Sequence, residues 1–190
     1  MLKKKTLLGV IQSMNYKLDT DKEVFFYEQE FYVLSNFSAF NLEYDNQIFP
    51  TSEHAYHYMK FSNENDVFMI SDTTLISVRH LMREKILNAK SAHDAFKLGQ
   101  ENKAARRTDW EDVKFKIMKD ILRHKVIQHP YVMKKLIDSG NRELIEDSWR
   151  DAEWGWGPNK DGQNMLGKIW MELRDELTKN IKTKGETNVI

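Results

Sequence analysis

Hydrophobic and polar positions divide this chain into a short β-like front part and a longer helical part. Aromatic and β-branched runs at residues 24–27 and 31–34 favour strands. Residues 41–49 alternate between apolar and polar around Asp45-Asn46, which predicts a hairpin with a two-residue turn. The sequence therefore predicts a small β element near the N-terminal end.

The later segments have the spacing of amphipathic helices. Pro50-Thr-Ser-Glu53 combines a hydroxyl N-cap with an acid in the first turn, and predicts a helix to about Phe61. Further helices are predicted over about 77–89, 92–100, 110–127, 131–138 and from Gln163 or Asn164 to Leu177. The pattern indicates an α+β fold that is predominantly helical.

The length of 190 residues fits a single compact domain. We expect that domain over residues 21–178, between an N-terminal extension at 1–20 and a polar C-terminal tail at 179–190. No apolar run has the roughly 18 residues that a membrane span needs. The apolar run Leu7–Ile11 is too short for a signal peptide, so we expect a cytoplasmic protein without membrane contact.

Composition excludes several classes of protein. The chain has no cysteine, which excludes a disulfide scaffold, a zinc ribbon, an iron–sulfur protein and a thiol nucleophile. The formal net charge of +0 argues against a dedicated nucleic-acid binder. Residues 97–125 nevertheless carry nine bases and five acids, a balance of +4. This stretch could face a phosphate, but on its own it favours a solvated helix surface.

One helical stripe contains chemically useful side chains. Glu53, Tyr56, His57 and Lys60 fall at i, i+3, i+4 and i+7 of the predicted helix. They could form a polar wall of an active site, but spacing alone favours a solvent-exposed stripe. His54 and His57 lack a third ligand at a suitable spacing, so we predict no metal site.

Two later segments are also candidates. Arg106 and Arg107 precede a predicted helix N-terminus and could hold a phosphate, with Trp110 as a flat face for a base. Taken one by one, these three residues are better explained by core packing or a surface position than by a binding site. The segment 146–168 holds three of the five tryptophans among glycines, which favours a pocket that stacks a planar group over a packed structural loop.

An ordered set of short motifs extends over residues 25–177. The set consists of Leu34-Ser-Asn-Phe37, Pro50-x-Ser-Glu-His-Ala-Tyr56, Lys60-Phe61, Arg107-x-Asp-Trp110, Leu144-Ile-Glu146, Asp151-x-x-Trp-Gly155, Gly157, Gly162-x-Asn-x-Leu-Gly167 and Met171-Glu-Leu-Arg174. In this order they resemble the NADAR, or YbiA-like, superfamily. The resemblance implies a compact, mostly helical domain with a small β element, and N-glycosidase activity without a metal or another cofactor.

The resemblance also implies substrates and site residues. Its two substrate classes are phosphorylated ribosylaminopyrimidines of the early riboflavin pathway and ADP-ribose attached to guanine in nucleic acid. By motif position, the site would contain Glu53, Trp110, Asp151 and Trp154, with Asn36, Lys60, Arg107 and Asn164 as lining residues. Gln100 and Trp156 depart from the residues common in the family and put a phosphate contact and the pocket shape in doubt.

Cleavage of a C1′–N bond builds positive charge at C1′ of the ribose. Glu53 or Asp151 could stabilise that charge and deprotonate water, while the other acts as an acid or contacts the ribose. Lys60 allows another route, in which a neutral amine forms a Schiff base with a ring-opened sugar. Tryptophans would stack the base, and Arg106 or Arg107 would hold phosphate. Two alternatives remain open: a module that binds ADP-ribose or a nucleotide without hydrolysis, and a structural protein with an interaction surface at the tryptophans.

Overall fold

A computed structural model describes residues 18–27, 29–62 and 73–187, and confirms the α+β, predominantly helical fold. Short strands are β1 (Glu23–Phe25), β2 (Leu42–Tyr44), β3 (Gln47–Phe49) and β4 (Glu143–Ile145). The α-helices are α1 (Ser52–Met59), α2 (Thr73–Leu87), α3 (Ala92–Gln100), α4 (Trp110–Gln128), α5 (Pro130–Asp138) and α6 (Met165–Thr187). Two 3₁₀ helices occupy Gln29–Leu34 and Lys103–Ala105.

The predicted hairpin is confirmed, but one predicted strand is wrong. β2 and β3 pair antiparallel around Asp45 and Asn46, which adopt φ angles of 51° and 57°. These left-handed angles suit Asp and Asn better than most side chains. The run 31–34 forms the end of a 3₁₀ helix instead of a strand. Three-residue periodicity puts Phe31 and Leu34 on one side, and both are buried in the core.

Strand β4 was not predicted, and it brings two distant parts of the chain together. It pairs in parallel with β1, where Val24 lies opposite Leu144. The pairing continues beyond β1, because the Phe26 N–H donates to the Ile145 carbonyl over 3.1 Å. The sheet therefore fixes the chain immediately before Glu146.

The helices begin close to the predicted residues. Thr51 caps α1 by accepting from the His54 N–H. The last helix extends to Thr187, well past the predicted end at Leu177. The domain limits at 21 and 178 remain a prediction, and residues 1–17 of the expected extension lie outside the described residues.

Helices α4 and α6 form much of the core. Ile121 and Leu122 of α4 are fully buried, as are Trp170 and Leu173 of α6. The Trp170 indole N–H donates to the Leu34 carbonyl over 2.8 Å, which ties α6 to the segment that leads into α1. Among the described helices, none is long and apolar enough to cross a membrane.

Candidate active site

The polar stripe of α1 is buried, so the interpretation as a solvent-exposed surface is wrong. Glu53, Tyr56, His57 and Lys60 are each at most 7% exposed. Helices α2, α3 and α4 all pack against α1 and cover it. Spacing shows that the four side chains share a face, but it does not show that other helices cover that face.

Glu53 is held by a neutral histidine. Its Oε1 lies 2.8 Å from His57 Nε2, and burial lowers the pKa of His57 below its ordinary value. A neutral ring that donates from Nε2 orients the Glu53 carboxylate. His57 Nδ1 is buried without a partner among the described residues. The ring packs so tightly on Gly99 that a Cβ there would overlap it.

His54 points away from this pair. Its ring nitrogens lie 2.8 Å from Thr51 Oγ1 and 3.1 Å from the Ala89 carbonyl oxygen. No group of three potential metal-ligating side chains occurs in the described part of the chain. The His54 side chain therefore stabilises the start of α1 and links it to Ala89.

A group of aromatic side chains, called here the aromatic wall, lies on the same face of α1 as Glu53. The Tyr56 ring lies 5.0 Å from Trp110 and 5.3 Å from Trp154, between ring centroids. Phe115 continues the wall at 5.3 Å from Trp154. These edge and tilted contacts bring α1, α4 and the tryptophan loop 146–164 to one place.

Lys60 is a buried amine on this wall. Its Nζ lies 5.0 Å from the centroid of Tyr56 and 5.6 Å from that of Trp110. Burial, and then the nearby Arg106 guanidinium, lower the pKa of Lys60 from 10.5 to about 7. In the described part of the chain the amine has no hydrogen-bond or ion-pair partner. A large fraction of it is therefore neutral near pH 7.

The two adjacent arginines have different surroundings. Arg107 is fully engaged, since its Nε and Nη2 bind the Asp109 carboxylate and its Nη1 donates to the Ser62 carbonyl. Arg106 donates from Nη2 to the carbonyl of Gly99 and to Gln100 Oε1, and its buried Nε has no partner among the described residues. Arg106 is thus the one of the two that lies near Lys60 with donor capacity left.

Asp151 and Asn164 both organise the tryptophan loop. Asp151 Oδ1 accepts from the N–H groups of Glu153 and Trp154 at 2.9 and 2.8 Å. Asn164 accepts from the Glu146 N–H at 3.0 Å and donates to the Leu144 carbonyl at 2.9 Å. Asn164 therefore holds the backbone of the site, while Asp151 keeps its other carboxylate oxygen for further contacts.

Asn36 lies beneath Glu53. Its carbonyl oxygen accepts from the Glu53 N–H at 3.1 Å, and its buried side-chain Oδ1 has no partner within the described residues. Its Nδ2 contacts the Met118 sulfur at 3.5 Å. Trp156 turns to the other side of the loop, where its ring lies 5.0 Å from Phe25.

Sequence reasoning missed Glu146 as a site residue. It follows the buried pair Leu144 and Ile145 and is itself 7% exposed. Burial, then the charges of Glu53 and Asp151, raise the pKa of the Glu146 carboxyl to about 8. An acid placed directly after two buried aliphatic residues was the signal that could have found it.

Comparison with known proteins gives consistent matches. The sequence pattern of the NADAR domain family matches residues 25–178. The chain is 33% identical over 143 residues to the N-glycosidase YbiA of Escherichia coli, and this alignment covers 75% of this chain and 79% of that protein. It is 33% identical over 159 residues to a riboflavin biosynthesis protein of Vibrio vulnificus, which covers 83% of this chain but only 39% of that protein.

A solved structure has the same fold. The NMR structure of E. coli YbiA aligns with a TM-score of 0.68 at 30% identity, over 88% of this chain and 91% of that one. Several relatives are named N-glycosidases, which fits a hydrolase that acts on N-glycosyl bonds.

Proposed function

Because this chain belongs to the NADAR domain family, we propose that it hydrolyses the C1′–N bond between a ribose phosphate and an amino-substituted base. Ribosylaminopyrimidine phosphates of the riboflavin pathway are the first substrates to consider, given the name of the Vibrio vulnificus relative. ADP-ribosylated guanine, free or in nucleic acid, is the second class.

The observation that carries the proposal is the buried Lys60 amine on the Tyr56 and Trp110 rings, which has no hydrogen-bond or ion-pair partner among the described residues. It supports the covalent route. The neutral amine adds to C1′ of the ring-opened sugar, and the C1′–N bond breaks with its electron pair leaving on the base nitrogen, which takes a proton. Water then adds to C1′ of the lysine imine, which releases the sugar aldehyde and restores the amine.

In this proposal, the carboxylates of Glu53 and Asp151 stabilise the positive charge at C1′ and position the water. His57 holds one oxygen of Glu53, so the other oxygen is left for substrate or water. Asp151 has its Oδ1 on two backbone N–H groups, and its remaining oxygen can stabilise positive charge at C1′. A stacked base would lie on the Tyr56 and Trp154 wall, and Arg106 would meet the phosphate.

A hydrolysis assay with trapping tests the proposal. The full chain is incubated with a ribosylaminopyrimidine phosphate or with an ADP-ribosylated guanine oligonucleotide, and the released base or sugar is measured. We expect release from at least one substrate, and sodium borohydride should fix a sugar adduct on Lys60 that mass spectrometry localises. The matched control is Lys97→Met, which removes an exposed lysine of α3.

Three results would contradict parts of this proposal. Release without an adduct would return the chemistry to the two carboxylates alone. Wild-type turnover in Lys60→Met would remove Lys60 from the mechanism. Binding of ADP-ribose without release from either substrate would instead favour a nucleotide-binding module.

A further inference from the structure

We propose that Glu146 is the proton donor of this reaction: its carboxylic acid group protonates the nitrogen of the leaving base. This inference rests on the proposed function and adds a third acid to Glu53 and Asp151. It follows from how the chain holds the Glu146 backbone and from what surrounds its side chain.

The backbone of Glu146 is clamped on both sides. Its N–H donates to Asn164 Oδ1 over 3.0 Å, and its carbonyl accepts from the Trp156 N–H over 3.2 Å. Gly155 packs against the same carbonyl, and a Cβ there would come within 2.8 Å of it. Together with the strand pairing of Ile145, these contacts fix the Glu146 backbone and therefore the direction of its Cα–Cβ bond.

The side chain extends into an acidic and dry environment. Its Oε2 is buried and has no partner among the described residues. The charged groups around it come from three elements: Glu53 of α1, Asp147 and Asp151 of the loop after β4, and Lys125 of α4. The acids outnumber the single base, so a second negative charge here is unfavourable.

Lys125 does not neutralise Glu146 by direct pairing. The amine is fully buried and donates to the Ser35 carbonyl at 2.9 Å and to Ser38 Oγ at 2.8 Å. Burial lowers the pKa of Lys125 to about 7, so its own charge is only partly present at neutral pH. The buried Oε2 of Glu146 has no hydrogen-bond acceptor among the described residues, so a proton on this oxygen is available to the substrate.

The proton balance closes within the reaction. As the C1′–N bond breaks, Glu146 transfers its proton to the leaving nitrogen, which carries away the electron pair of that bond. The carboxylate that results then takes a proton from the water that adds to C1′. The acid is restored at the end of each turnover, and no further reactant is needed.

The test compares Glu146→Gln with Glu143→Gln in the full-length chain. A glutamine side chain is nearly isosteric with the neutral acid and can still donate a hydrogen bond, but it cannot transfer a proton. We expect kcat of Glu146→Gln to fall about 100-fold or more with little change in KM, and the alkaline limb of the kcat profile to disappear. Glu143 is an exposed acid on the strand that precedes Glu146, and its variant should keep wild-type kinetics.

Infrared spectroscopy of the substrate-free protein gives a second readout. A protonated carboxylic acid at neutral pH should be present in the wild type and absent from the Glu146→Gln variant. Wild-type kcat in Glu146→Gln, or an ionised Glu146 at neutral pH, would overturn this inference. Failure of the proposed function would appear differently, as absence of turnover by the wild type.

Discussion

Replacing Lys60 by methionine should make the protein more stable while it removes the activity. The buried amine lowers the stability of the folded state, because folding shifts its pKa from 10.5 to about 7. At about 1.4 kcal/mol per pKa unit, the difference corresponds to roughly 5 kcal/mol at neutral pH. Methionine has a similar length, fills the same space and carries no charge.

The ring contacts oppose part of this gain. Lys60 lies over Tyr56 and Trp110, and each such contact contributes roughly 1 kcal/mol when the ammonium is charged. Because only about half of the amine is charged at pH 7, the two contacts together offset roughly 1 kcal/mol, and the net gain in the free energy of unfolding is about 4 kcal/mol. For a chain of 150–250 residues this raises Tm by roughly 8–16 °C.

The pH dependence identifies the cause. The lysine pKa is lower in the folded protein, so the unfolded chain binds more protons between pH 7 and 10.5. Wild-type stability therefore rises with pH through that window, and the advantage of Lys60→Met should shrink as the pH approaches 10.5. A variant less stable than the wild type at neutral pH, or an advantage independent of pH in urea titrations, would refute this reasoning.

Three further substitutions test how Asp151, Gly99 and Trp154 contribute to the candidate site. Asp151→Asn keeps the Oδ1 acceptor, so we expect stability within about 0.5 kcal/mol of the wild type but a large loss of kcat; full activity would mean that Asp151 only organises the loop. Gly99→Ala should displace His57, cost about 1–3 kcal/mol in urea unfolding and lower kcat, and a wild-type profile would contradict this packing. Trp154→Ala should raise KM about 5- to 100-fold if the base stacks there, and an unchanged KM would place the base elsewhere.

Local sequence patterns predicted most of the fold because the helices have their own apolar spacing, and α1 and α3 also have side-chain caps at Thr51 and Ser91. The errors occurred where the deciding contact is distant. The apolar run 31–34 fits a strand or a 3₁₀ turn equally well, and burial of Phe31 and Leu34 together decides for the latter. Strand β4 has only three residues and exists through its pairing with β1, which no local pattern reveals.

Sequence motifs named several residues of the candidate site but did not predict their environment. The motifs named Glu53, Lys60, Trp110 and Trp154, which the structure brings together. A polar stripe normally faces water, and here it is buried beneath α2, α3 and α4, so periodicity predicted the wrong exposure. Glu146 was missed for the same reason, because only the fold shows that this acid is surrounded by others.

Arg106 and Arg107 show how neighbouring residues of one type acquire different roles. The Nε and Nη2 atoms of Arg107 both donate to the Asp109 carboxylate, so the Arg107 side chain stabilises the chain at the start of α4. Arg106 keeps a buried Nε without a partner in the described part of the chain.

A buried lysine supports the segment that positions Glu53 in the candidate site. Lys125 fixes the Ser35 carbonyl and the Ser38 hydroxyl. Between these two serines lies Asn36, whose carbonyl receives the Glu53 N–H. A buried ammonium usually reduces the stability of the folded state. The buried amine of Lys125 therefore needs an explanation other than a gain in stability. The position of Lys125 supplies one: it holds the loop that orients Glu53, and it lies near enough to Glu146 to influence the charge of that acid.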